Sequence, residues 1–141
     1  MALAMLLLLA AGPGLADWNP SLKHATIPMP VMGAEVSVPA LYCNRKLVQL
    51  DSVRFEADPA APGEIVRGEW VFTGRSRSGT SQRLKVIVGP VDVNGNRMGR
   101  FRSVGSMAPH AGRFEIRVPM QISRDQWNAA TALKITACWG Y

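Results

Sequence analysis

Cysteine and histidine each occur only twice in this 141-residue chain, as Cys43 and Cys138 and as His24 and His110. The members of each pair lie far apart, with no cluster of Asp or Glu beside them, which excludes the close ligand spacing of a zinc or other metal centre. The chain also lacks a Gly-x-Ser-x-Gly nucleophile elbow and a phosphate-cradling glycine loop ahead of a helix. Neighbouring acids are few: Glu56 with Asp58, and Glu64 with Glu69, fall on strand-like or loop stretches where solvation accounts for them. No catalytic residue, cofactor or metal is therefore expected, and neither is an enzyme. A small hydrolase or ligand-binding enzyme would need a polar pocket that nothing in the order of residues announces. Internal repeats and runs of like charge are missing too, and Gly 13 with Pro 10 is too little for a low-complexity chain.

One near-match is informative. Asp92-Val93-Asn94-Gly95-Asn96 reproduces the first three ligand positions of a calcium loop, but Arg97 stands where the loop's glycine belongs and Ser103 where its bidentate glutamate belongs. The segment reads as a turn.

The chain opens on Met1 to Ala16, a short apolar run followed by Gly-Pro-Gly and a small residue before Asp17. That is the pattern of a signal-peptide core and cleavage site, too short to span a bilayer as a helix. No Lys or Arg precedes the run, so a start further upstream, an atypical leader or a buried N-terminal helix stand as alternatives. Read as a leader, it implies a periplasmic or secreted protein with no transmembrane span after cleavage. In that setting Cys43 and Cys138 are most simply a disulfide, worth ~4–5 kcal/mol in the chain-entropy account. Without export they read as two buried thiols.

The organisation expected is a leader over 1–16, an extended arm over 17–33 carrying prolines at 20, 28 and 30, and a domain over 34–141. Within the domain the residues alternate with period two. Glu35 to Val38, Leu41 to Gln49, Val53 to Ala57 and Ile65 to Thr73 read as strands. Arg83 to Val104 reads as a hairpin with Leu84, Val86 and Val88 on one face and a type I′ turn at Asn94-Gly95. Gly89-Pro90 marks a bulge, a kink or an edge in its first arm. Phe114, Ile116 and Val118 alternate inward against Arg113, Glu115 and Arg117. A capping box at Ser123 to Gln126 predicts a short helical turn over 123–130, and Leu133, Ile135 and Ala137 return to strand spacing. About seven strands with frequent turns predict an all-β, immunoglobulin-like two-sheet antiparallel sandwich, with a small barrel as runner-up.

From Gly68 to Pro119 the chain resembles small bacterial envelope sandwiches of the FxLYD kind. The likeness rests on Gly68-x-x-x-Phe72-x-Gly74, on a strand ending in Asp92-x-x-Gly95, and on Pro109-x-x-Gly112-x-Phe114. It implies a non-enzymatic, extracytoplasmic interaction domain and supplies no catalytic residue; the cysteine pair is no part of it.

Charge gives the remaining clue. Sixteen Lys and Arg against ten Asp and Glu leave +6. Seven arginines form the candidate anion-binding set: Arg75 and Arg77 in one polar stretch, Arg97, Arg100 and Arg102 on the hairpin, and Arg113 and Arg117 on a following strand. Guanidinium forks suit phosphate and carboxylate groups. The expected partner is an envelope or extracellular protein, or an anionic lipid or glycan surface. Nucleic acid is not expected, because no aromatic platform alternates with the charges. Of the four tryptophans, Trp70 and Trp139 read as core, Trp127 as the seat of the helical turn, and Trp18 as an arm contact. A second reading makes the protein a structural subunit of a surface assembly that docks through its N-terminal arm.

Overall fold

The computed structural model describes residues 23–38, 41–43, 47–80, 82–108 and 110–137. The expected leader over 1–16, Trp18, Trp139 and Cys138 lie outside these residues, as does the side chain of Cys43, and with them the expected disulfide. The chain runs β1 (Lys23–Pro28), β2 (Val36–Ser37), β3 (Tyr42–Cys43), β4 (Val48–Ala57), β5 (Ile65–Ser76), β6 (Gln82–Val91), β7 (Arg102–Ala108), β8 (Gly112–Ser123), α1 (Arg124–Ala129) and β9 (Ala132–Ala137). Two antiparallel sheets result. The first has the order β1-β9-β6-β7 and the second β2-β4-β5-β8, with β3 also paired to β4. The fold is an all-β sandwich, as the alternation predicts.

Its core is built from the period-two positions. Leu84, Val86 and Val88 of β6, Ile116, Val118, Met120 and Ile122 of β8, and Leu133, Ile135 and Ala137 of β9 are all buried. β4 keeps Leu50, Val53 and Phe55 in the same core although Leu50 and Val53 differ in parity. The register shifts between Leu50 and Ser52, and this β-bulge turns the second half of the strand back to the inside. Without it, a one-residue slip would carry Val53 and Phe55 to the solvent face.

Aromatic packing closes one end. The Trp70 ring lies 4.8 Å from Phe55 and 5.9 Å from Trp127, centroid to centroid, and its indole N–H donates to the Met120 Sδ at 3.2 Å. α1 exists to seat Trp127 there. Ser123 is its N-cap, accepting from the Gln126 N–H at 3.0 Å, while the Gln126 side chain accepts from the Ser123 N–H at 3.1 Å.

The structure revises three sequence expectations. Residues 23–28, assigned to the arm, are an edge strand of the first sheet, with Ile27 buried and every residue paired to β9. Pro28 and Pro30 end that strand rather than prevent it. The hairpin turn is not the two-residue Asn94-Gly95 form. The Gly95 N–H donates to the Asp92 carbonyl and the Asp92 N–H to the Asn96 carbonyl, both at 2.9 Å. Val93 and Asn94 are thus the central pair, and Gly95 follows at φ +83, a three-residue loop with a left-handed glycine. The Asp92 carboxylate fixes it by accepting from the Asn94 and Asn96 N–H groups, so the calcium-like segment is a self-bonded turn. Strands β5 and β7 also run on to Ser76 and Ala108, past the ends at Thr73 and Val104 that the alternation predicts.

Pro90 remains in β6. Its carbonyl accepts from the Met98 N–H at 2.9 Å, so the missing proline N–H faces the same edge, beyond the start of β7 at Arg102.

Candidate functional site

The seven arginines do not share one face. β5 and β8 pair along their length, placing Arg75 opposite Arg113 and Val71 opposite Arg117 on the outer face of the second sheet. There the arginines meet acids. Arg75 Nε and Nη2 bind the Asp51 carboxylate at 2.9 and 3.0 Å. Arg117 Nη1 donates to Glu56 at 2.8 Å and to Glu69 at 3.1 Å, and its Nη2 to Glu115 at 3.2 Å. Arg54, which the sequence reading left out, holds Glu56 at 2.7 Å and Glu115 at 3.5 Å. Val71 lies opposite both Arg54 and Arg117 and is fully buried although it faces outward. The aliphatic stems of the two arginines cover it while their heads stay in the ion-pair network.

Exposed ion pairs contribute little each, but this network has a consequence for pH. The Arg117 and Arg54 guanidiniums hold the Glu56 carboxyl below the usual carboxylate range, and Arg75 does the same to Asp51. Asp92 is lowered mainly by the Asn96 N–H, and Asp58 by the Ala60 N–H and Arg67. A carboxyl lowered on folding binds fewer protons in the native state, so its stabilisation is present above its unfolded pKa and lost as pH falls through the folded one. The thermal midpoint is expected to stay level from pH 7 to about 5 and to fall below about 4. Arg117→Ala should shrink that acid-limb fall, measured by scanning calorimetry across the pH series.

The β4 bulge also shapes a cleft of about 450 Å³ on this face, lined by Glu35, Asp51, Thr73, Arg113, Phe114 and Glu115. Ser52 donates to Glu35 and shares a hydrogen bond with Thr73. Neither His24 nor His110 lines it. Its polar groups largely answer one another, the Ser52 hydroxyl being held between the Glu35 carboxylate and the Thr73 hydroxyl.

The hairpin arginines are elsewhere. Arg97 lies over the Phe101 ring at 4.5 Å, and the ring rests on Gly89, where a Cβ would fall 2.1 Å from Phe101 Cδ1. Arg100 and Arg102 are exposed and make no ion pair among the described residues. Arg77 follows β5 at the opposite end of the sandwich from this tip, its N–H donating to the Leu47 carbonyl at 2.7 Å.

The outer face of the first sheet can be read from its register. Thr26, Lys134 and Gly89 form one row; His24, Thr136, Ile87 and Ser103 form the next; Lys85 and Gly105 follow. The His24 Nδ1 and the Thr136 hydroxyl are 3.0 Å apart. None of β1, β6, β7 and β9 contains an Asp or a Glu. Lys134, Arg83 and Lys85 belong to this face and were not in the sequence-derived set. The signal for Lys134 was available, since it sits between the inward-facing Leu133 and Ile135.

No family model matches the chain, and no curated protein matches it. Among solved structures it is similar to the Avr2 effector protein from the fungal plant pathogen Fusarium oxysporum. The identity is 9%, the likeness covers 83% of this chain and 86% of that one, and the TM-score is 0.31. A likeness that slight carries nothing over. No helix among the described residues is long and apolar enough to cross a membrane.

Proposed function

We propose that this chain is an exported, non-enzymatic β-sandwich that binds an anionic partner through the outer face of its β1-β9-β6-β7 sheet and the β6–β7 hairpin. One observation carries the reading: the two sheets divide the charge. The strands of the second sheet hold Arg54, Arg67, Arg75, Arg113 and Arg117 against Asp51, Glu56, Glu69 and Glu115. Those of the first hold Lys23, Arg83, Lys85, Arg102 and Lys134 against no acid at all; of these, Arg83, Lys85 and Lys134 are at outward positions, while Lys23 and Arg102 stand opposite the core residues Ala137 and Val88 at strand ends. The hairpin loop adds Arg97 and Arg100 against Asp92, whose carboxylate is engaged by its own turn.

Sandwiched sheets stand about 10 Å apart, and the Debye length at physiological salt is about 8 Å. The carboxylates on the far face therefore do little to cancel the potential over the near one. The leader-like Met1 to Ala16 supports export, and the acid-free strands of the first sheet support a binding role. Relative to the sequence reading, Arg97 and Arg100 stay in the site with Arg102 at the base of the hairpin, Arg75 and Arg117 leave it for their carboxylates, Arg77 and Arg113 lie away from it, and Arg83, Lys85 and Lys134 enter.

The test is binding of the mature chain to immobilised anionic partners, namely phosphatidylglycerol vesicles, a sulfated polysaccharide and an acidic peptide, at rising salt. Lys134→Glu and Arg97→Glu should each weaken binding about tenfold, the loss of one close charge contact, and Arg113→Glu should not. Equal losses from Lys134→Glu and Arg113→Glu would show that net charge, not this face, drives the binding.

A further inference from the structure

We infer that the ligand of the basic face is a linear acidic polysaccharide lying along β6, an inference that rests on the face assignment above. Arg83 and Lys85 stand two positions apart on the outer side of β6, Lys134 flanks Gly89 from β9, and Arg97 bridges to Val91 from the hairpin. From Arg83 to Val91 the strand advances ~27 Å at the usual rise per residue. The cations thus mark a line along one strand rather than a cluster around a point.

What lies between them suits a polyhydroxylated chain. Gly105, Ser103, Thr26 and Thr136 occupy intervening outward positions, so between Lys85 and Lys134 a ligand can approach the sheet closely and exchange hydrogen bonds with hydroxyl groups, while at Gly89 it meets the Phe101 ring instead. Ile87 offers the apolar patch against which a sugar ring can rest. No carboxylate on these strands repels a uronate or a sulfate. Arg83 and Lys85 each keep an interaction within the chain as well, so Lys134 and Arg97 are the decisive positions.

Two competing polyanions fit less well. A sheet turns by roughly 20–25° per strand, so Lys134 of β9, Arg83 and Lys85 of β6 and the hairpin's Arg97 do not lie in one plane, and a flat bilayer engages only some of them. Single-stranded nucleic acid binds by stacking bases on open aromatic faces. The Phe101 ring on this face is already engaged, packed on Gly89 and with the Arg97 guanidinium over it at 4.5 Å.

The experiment is calorimetric titration of the mature chain with sulfated oligosaccharides of graded length, beside phosphatidylglycerol vesicles, single-stranded DNA and neutral dextran at the same salt. Affinity should climb with length and level off once the ligand spans the strand, dextran should not bind, and Lys134→Glu with Arg97→Glu should remove most of the length dependence. Thermal midpoints of the variants must match the parent. A disaccharide that binds as tightly as the longest chain would overturn the track. Vesicles or DNA bound in preference to the oligosaccharides would overturn the polysaccharide and leave the anionic face standing. No binding to any of them would sink both readings.

Discussion

Trp70→Ala is expected to cost about 4 kcal/mol, the range for emptying a fully packed aromatic site, and so to leave the domain folded only marginally or not at all. Small domains hold roughly 5–15 kcal/mol in total. Trp70 sits on β5, the strand between β4 and β8, and none of its side chain is exposed. Its ring contacts Phe55 and is stacked at 17° on Trp127, which is how α1 is fastened to the sandwich. Removing it opens a cavity between two sheets whose ladders prevent collapse, and it strips Trp127 of a partner. Val71→Ala, next along the same strand, changes a residue that stands outside the core cluster between its register partners Arg54 and Arg117 and should cost much less. Guanidinium denaturation followed by circular dichroism measures both, and similar losses from the two would contradict the packing described here.

Gly68→Ala, the addition of a single methyl group, should be nearly as damaging. A Cβ at Gly68 would lie 2.1 Å from the Glu56 carbonyl oxygen and 2.9 Å from both the Ala57 Cα and the Phe55 Cζ. Two of these three are backbone atoms of the neighbouring strand, so no rotamer change relieves the contact. Either β4 and β5 part near Ala57 and Gly68, which are register partners, or Phe55 leaves its place beside Trp70. The expected loss is about 3 kcal/mol or more, at the upper end for overpacking. Gly63→Ala is the control, since nothing lies within 4 Å of a Cβ there. Hydrogen exchange should show β4 and β5 opening first in the Gly68 variant; an unchanged denaturation midpoint would mean that the strands are not so close.

The same glycine shows how far the sequence could be read. Gly68 and Gly74 stand out in the chain as a spaced pair, and they frame the resemblance to envelope sandwiches. The rings that require them, Phe55 against Gly68 and Phe114 against Gly74, belong to β4 and β8. Sequence spacing marks a place where a side chain is missing, and only the paired strand shows what fills it. The capping box was legible because all its bonds run within four residues. β1 was not, because three prolines in and around it outweighed the short alternation of Ala25 and Ile27, and burial against β9 decided the matter.

The arginines make the same point for function. Alternation told correctly that Arg113 and Arg117 face outward, yet it could not say that Glu56 and Glu69 would stand beside Arg117 at 2.8 and 3.1 Å. Those partners come from strands far away in the chain. The sequence alone therefore determined what local chemistry controls: which residues alternate, where the helix cap falls, that the chain turns near Asn94-Gly95, which strand positions of β6, β8 and β9 face the core, and how much net charge there is. Tertiary structure decided which strands pair, that β1 closes the first sheet, and how the charge is shared between the two faces. Those outcomes depend on register and neighbours set by burial across the whole chain, and no local window of residues contains them.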